Sequence, residues 1–155
     1  MNRDETILII DDDRALQESC RQVFAGTNYT IESAFDGESG LDKYEILKPD
    51  LVLMPCLHDI HQDHSTVAAE GLRAFKDRTV LGYELIWNNL SFNTDCFVRL
   101  EERHIEKKAE ALSEYASQSG KTYMSNEFVF SLARTRGVQI GAEFAECFEV
   151  VRWVI

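Results

Sequence analysis

The feature that most constrains this chain is an apolar run cut off by acids. Ile7, Leu8, Ile9 and Ile10 are followed at once by Asp11, Asp12 and Asp13. A strand buried on both faces reads as a continuous apolar run, and it turns polar where the sheet edge meets water. Asp13 suits the cap of a following helix, because its carboxylate accepts from free backbone N–H groups. Leu16, Cys20, Val23 and Phe24 then recur at helical spacing. Thr30–Phe35 reads as a second strand and Asp36-Gly37 as a turn. Gly40–Leu47 reads as a helix with Leu41, Tyr44 and Leu47 inward, stopped by Pro49. Asp50–Met54 is a third strand. The first 54 residues therefore read β-α-β-α-β, and such alternation predicts a parallel sheet covered by helices.

The pattern runs on past Pro55. Ser65–Phe75 reads as a helix with Val67, Ala68, Leu72 and Phe75 on one stripe, and Thr79–Leu85 as a fourth strand. Trp87–Thr94 is a polar and aromatic loop, and Cys96–Leu100 a short strand. His104–Gln118 is amphipathic, with Ile105, Ala109, Leu112 and Tyr115 on one side. Phe128–Arg136 reads as a helix closed by Gly137, and Phe144–Ile155 as a final strand. The expected fold is a single α/β domain over residues 1–155. It is a three-layer parallel sheet with helices on both faces, flavodoxin- or Rossmann-like. At 155 residues, 45% apolar and 28% charged, the chain needs no staple. A domain of this size buries roughly 68–70% of its unfolded surface.

Charge removes one class of partner. The formal net charge is −11, and no Lys/Arg cluster supplies the basic face that nucleic-acid binding requires. Cys20, Cys56, Cys96 and Cys147 form no CxxC pair, so reduced thiols are expected. The chain shows neither a secretory leader nor an apolar run long enough to cross a bilayer. A cytoplasmic protein without nucleic-acid or membrane partners is the expectation.

Several motifs of the first half occur in a set order: Ile7-Leu-Ile-Ile-Asp-Asp-Asp13, Asn28-Tyr29, Ala34-Phe-Asp-Gly-Glu-Ser-Gly-Leu41 and Lys48-Pro-Asp-Leu-Val-Leu-Met54. Over about residues 5–54 the chain resembles a response-regulator receiver, or CheY-like, domain. The resemblance implies that Asp11 and Asp12 match the acids that hold Mg²⁺ beside a phospho-accepting aspartate. Hard oxygen ligands at a strand end suit that ion. The acceptor position after the third strand holds Pro55, which has no carboxylate, so no phosphoacceptor is expected. The competing reading of Asp11–Asp13 is helix capping at a solvated strand end.

Residues 58–64 are His-Asp-Ile-His-Gln-Asp-His and hold three of the four histidines. Imidazoles this close to two carboxylates suit a metal site or a proton-transfer site. The cluster follows a strand and precedes a helix, where open α/β sheets bind ligands. Pro49-Asp-Leu-Val, His61-Gln-Asp-His64, Gly82-Tyr-Glu, Trp87-Asn-Asn, Tyr115-Ala-Ser-Gln118, Arg136-Gly-Val-Gln-Ile and Phe144-Ala-Glu-Cys-Phe-Glu149 follow in series. Over about residues 48–155 the chain resembles the PIG-L/LmbE-type zinc-dependent N-deacetylases. That resemblance implies zinc on His64, oxyanion assistance from His61, and Asp63, with His58 and Asp59, orienting the ligand from behind. The family's His-Pro-Asp-Asp motif after the first strand is replaced by Asp11-Asp12-Asp13-Arg14. A catalytic zinc usually needs three protein ligands and an open position. Asp11 or Asp12 would have to serve as ligand, with Asp12 as base. Two or three such ligands imply weak zinc binding or none, and mixed imidazole and carboxylate disfavours Mg²⁺.

The leading reading is a fold-level chimera, by gene fusion or recombination, of a receiver-like segment 1–54 and a deacetylase-like segment 55–155. Its metal site is incomplete and it has little or no catalysis. A second reading is a zinc-dependent N-deacetylase acting on an N-acetylated sugar. A third is a receiver-type signalling module that cannot be phosphorylated.

Overall fold

The computed structural model describes residues 5–113 and 120–155. Its chain order is β1 (Glu5–Ile10), α1 (Arg14–Val23), β2 (Tyr29–Ala34), α2 (Gly37–Leu47), β3 (Leu51–Pro55), α3 (Gln62–Ala74), β4 (Thr79–Tyr83), β5 (Cys96–Leu100), α4 (Glu102–Ser113), α5 (Asn126–Gln139) and β6 (Phe144–Arg152). Tyr115–Gln118, expected to continue the α4 helix, lie outside the described residues.

The chain divides into two compact units. The first joins Met1–Lys48 to Lys107–Met124, and the second joins Pro49–Glu106 to Ser125–Ile155. In the first unit β1 and β2 pair in parallel, with Glu5 opposite Tyr29 and Ile10 opposite Ala34. Asp13 caps α1 as expected, its carboxylate accepting from Ala15 N at 2.8 Å and Leu16 N at 3.2 Å. The residue α1 buries most deeply is polar: Gln17. Its Nε2 donates to Ala34 O at 2.7 Å, Asp11 O at 2.9 Å and, more weakly, Ile9 O at 3.3 Å. One amide thus ties the ends of both strands to the helix.

The start of α2 corrects the expectation of a turn. Asp36 is a helix cap, accepting from Ser39 N at 2.8 Å, and Gly37 is already helical. Tyr44 is buried as expected, but Leu41 is 44% exposed and Leu47 is also exposed. The inward line is Gly40 and Tyr44, four residues apart. Gly40 is needed there, because a Cβ would lie 2.8 Å from the Ile10 side chain. Lys48 ends the helix in the left-handed region at φ 48°, and Pro49 after it cannot continue the helix.

The second unit holds a four-stranded sheet in the order β3-β4-β6-β5. β3 and β4 run parallel, but β6 is antiparallel to both β4 and β5. The architecture is α/β, and its sheet is mixed where a wholly parallel one was expected. The strands expected in a single parallel sheet pair as two sets, β1 with β2 and β3 with β4. A single strand's apolar pattern does not encode its direction, which is why the expectation fails at β6.

α3 starts three residues earlier than expected and seats on β3 through Ala68 and Gly71. A Cβ on Gly71 would lie 2.8 Å from Met54 Sδ, so the glycine sets how closely helix and strand approach. Val67, expected inward, is 53% exposed. Arg152 at the end of β6 donates to Phe75 O at 2.7 Å and Leu72 O at 3.3 Å, satisfying carbonyls at the C-terminal end of α3. Gly137 lies within α5 and does not end it. A Cβ there would meet Glu143 O at 2.6 Å and Ala142 O at 2.7 Å.

Candidate functional site

The histidine cluster sits on the turn from β3 into α3. His61 is the residue before the first turn of α3, with extended φ and ψ, and its side chain makes no capping bond. His64 lies within that first turn. Three-residue spacing on a helix brings side chains together, and the two rings stand 4.6 Å apart between centroids.

Asp59 organises both histidines. Its side chain is only 1% exposed. Oδ1 accepts from His61 N at 2.8 Å, and Oδ2 lies 2.8 Å from His64 Nδ1. An ionised carboxylate only accepts, so Nδ1 carries the hydrogen and the Nε2 lone pair is left for a proton or a ligand. A carboxylate behind an imidazole fixes its tautomer and orientation.

The turn is anchored from two sides. Asp59 N donates to Cys56 O at 3.3 Å, and Ile60 N to Asn88 O at 3.0 Å. Asp59 and Asn89 form an isolated antiparallel bridge, so the 85–89 segment lies alongside. Glu149 of β6 accepts from Leu57 N at 3.0 Å through Oε2 and from Asn93 Nδ2 at 3.1 Å through Oε1. Burial pushes the Cys56 thiol up, and the charges of Glu149 and Asp59 add to that effect. Deeper in the same sheet, burial pushes the Cys147 thiol up to about 11. Neither thiol is set up as a nucleophile.

His58 and Asp63 are both exposed. Asp63 sits in the first turn of α3, where a carboxylate complements the helix dipole. Asp11 and Asp12 belong to the first unit. Asp11 Oδ1 accepts from Asp13 N at 2.8 Å, so two of the three acids shape the start of α1. The fourth histidine, His104, accepts from Glu101 N at 3.0 Å at the start of α4. Among the described residues, no three His, Cys, Asp or Glu side chains are gathered as a metal ion would need. Nor is any described helix long and apolar enough to cross a membrane.

Two further acids stand out. Glu149 was legible only as the end of a motif, yet it is 5% exposed. Glu84 pairs with Arg136 through Nε at 3.0 Å and again through Nη2, and the contact holds the Arg136 guanidinium pKa up. Both members fell in separate quoted motifs, Gly82-Tyr-Glu84 and Arg136-Gly-Val. Glu84, a lone acid among apolar residues, is the one local signal for the pair.

No family model matches the chain. Part of it is similar to response regulators. It is 42% identical over 48 residues to the response regulator MprA of Mycolicibacterium vanbaalenii and 40% identical over 48 residues to MprA of Mycobacterium avium. Each match covers 31% of this chain and 21% of the relative, so the matched stretch spans about a fifth of those proteins. The folded chain is similar to the conserved protein TT1542 from Thermus thermophilus, with TM-score 0.69, 16% identity and coverage of 98% of this chain and 96% of that one. It is also similar to the zinc-inhibited form of teicoplanin deacetylase Orf2, with TM-score 0.58, 10% identity and coverage of 95% and 86%. At such identities the likeness is one of fold. The chain thus carries a short response-regulator-like stretch on an α/β fold shared with deacetylases.

Proposed function

We propose that this chain is a fold-level chimera of a receiver-like segment and a deacetylase-like segment. Its Asp59–His64 couple is the retained part of an amide-hydrolase centre, and it has little or no catalytic turnover. The observation that carries this is the 2.8 Å contact between buried Asp59 and His64 Nδ1, with Nε2 left for ligand or proton. That is how a working imidazole is held, and chance polar loops rarely bury the carboxylate behind it.

The described residues do not fit a catalytic zinc, since three protein ligands are not gathered. No step is therefore routed through a metal. What the residues supply is a base. His64, with its hydrogen directed to Asp59, takes a proton at Nε2, and Asp59 balances the imidazolium that results. His61, beside it, offers a second imidazole to a developing oxyanion. The deacetylases that share the fold, one of them named for teicoplanin, point to an N-acetylated sugar as the substrate class. The receiver-like segment contributes structure and no phosphoryl chemistry, because Pro55 fills the acceptor position.

The test is hydrolysis of an N-acetylglucosamine derivative, with and without added zinc, beside zinc titration of the parent and His64→Ala. Expected are weak zinc binding that His64→Ala abolishes, and turnover near the uncatalysed rate. Tight stoichiometric binding with turnover would replace this reading by a working zinc N-deacetylase. Zinc binding unchanged in His64→Ala would remove the couple from the site.

A further inference from the structure

Glu149 is a buried carboxylate with no cation to answer it. It is 5% exposed, and among the described residues no Lys, Arg or His pairs with it. Its two partners are neutral donors, Leu57 N at 3.0 Å and Asn93 Nδ2 at 3.1 Å. Taking a carboxylate out of water is costly, and neutral donors offset only part of that cost. An apolar side chain would serve the strand better, since Cys147, two residues before it on the same face of β6, is apolar and buried.

What Glu149 holds is the turn that carries the histidine couple. β4 lies between β3 and β6, and Gly82 of β4 is opposite Glu149 in register. A Cβ on Gly82 would lie 2.8 Å from Cys56 Cα, so the missing side chain lets the turn pass close over β4. Glu149 then takes the N–H of Leu57, the second residue beyond β3. Two residues further on, Asp59 addresses His61 N and His64 Nδ1. The connection runs unbroken from β6 to the imidazole.

We propose that Glu149 is a positioning residue: it fixes the Leu57–Asp59 turn so that Asp59 holds His64 with its hydrogen on Nδ1. Asn93 aligns the second carboxylate oxygen and keeps Glu149 from swinging away. The inference deepens the reading of Asp59–His64 as the retained centre, but it concerns the geometry of the couple and not its turnover.

The experiment is nitrogen-15 and proton NMR of the full chain, at a pH where the imidazoles are neutral and without metal or substrate. The parent is expected to show His64 as the Nδ1–H tautomer, with a slowly exchanging, downfield Nδ1 proton. Glu149→Leu should lose that proton signal, populate both tautomers and expose the Leu57 amide to fast exchange. Glu149→Gln keeps an oxygen for Leu57 N and should restore the parent pattern. Should Glu149→Leu not fold, Glu149→Asp keeps the charge but draws it back by one methylene, and the same loss is expected. A parent-like His64 signal in the folded Leu and Asp variants would overturn the proposal and leave Glu149 a role in stability alone. Because the readout needs neither metal nor substrate, absence of hydrolysis would defeat the proposed function without touching this one.

Discussion

The two units bury different kinds of polar group. In the first, the buried polar side chains among the described residues are Gln17 and Ser33, both neutral. In the second they are Asp59 and Glu149, both carboxylates, with the Glu84–Arg136 pair close to full burial as well. A neutral amide costs less to bury than a charge, and Gln17 spends its N–H groups on carbonyls at the strand ends although its Oε1 has no partner. A carboxylate is expensive to bury even when bonded. The first unit therefore uses its buried polar group to fasten its own fold. The second buries charges, one of which, Asp59, lies against His64.

The strongest way to break this comparison is to strip one partner from the charged pair of the second unit. Arg136→Leu leaves Glu84 nearly buried and unanswered, and such truncations cost about 3–5 kcal/mol. Urea unfolding should show that loss, and Glu84→Leu with Arg136→Leu should recover much of it. A single variant costing under about 1 kcal/mol would mean the pair is solvated and the contrast between units is wrong.

The counterpart in the first unit is smaller. Gln17→Leu keeps roughly the volume but removes both N–H donors, so Asp11 O loses this partner while Ala34 O keeps Asp11 N at 3.1 Å. Leaving a buried acceptor unpaired costs about 1–3 kcal/mol, and losing Gln17 Oε1, itself buried without a partner, offsets part of that. Loss of the second unit's structure at the same denaturant concentration would sharpen the comparison by showing a single cooperative transition. No change in stability at all would show that water replaces the amide.

Much of the fold was legible where the signal is local. β5 matches its expected span, Cys96–Leu100, and Asp13 caps α1 as its side chain requires. The errors lie where a distant contact overrides a local rule. Gly137 looked like a helix end, yet α5 continues because the Ala142–Glu143 backbone packs where a Cβ would be. Gln17 has no apolar signal for burial, and the three carbonyls that bury it come from two different strands and the loop after one of them. At the candidate site the seven-residue histidine window was visible as a motif. Of His58, Asp59 and Asp63, expected to orient the ligand, Asp59 makes the contact to His64, five residues after it, while His58 and Asp63 are exposed. Glu149 lies 92 residues from Leu57, so no spacing rule could connect them.

The subtlest test concerns a cap in the first unit, where an exposed charge, not a buried one, is at work. Ser39 N, at 2.8 Å, holds the Asp36 carboxylate below the ordinary aspartate value of 3.8. A carboxyl group depressed on folding adds stability that is fully present above its unfolded value. That stability is lost as pH falls through the folded value, so the window opens at about 3.8 and extends downward. Glu32, lowered by its bond to Lys43, acts in the same direction from 4.5, so the parent alone does not isolate Asp36. Asp36→Ser does, because serine caps the helix without titrating. Stability of parent and variant, measured by urea unfolding well above and well below pH 3.8, should converge as the solution becomes acid. The parent should lose more over that interval than the variant. Equal losses would show that Asp36 caps α2 without its charge contributing, and the first unit would then depend on neutral hydrogen bonds at its surface as it does in its core.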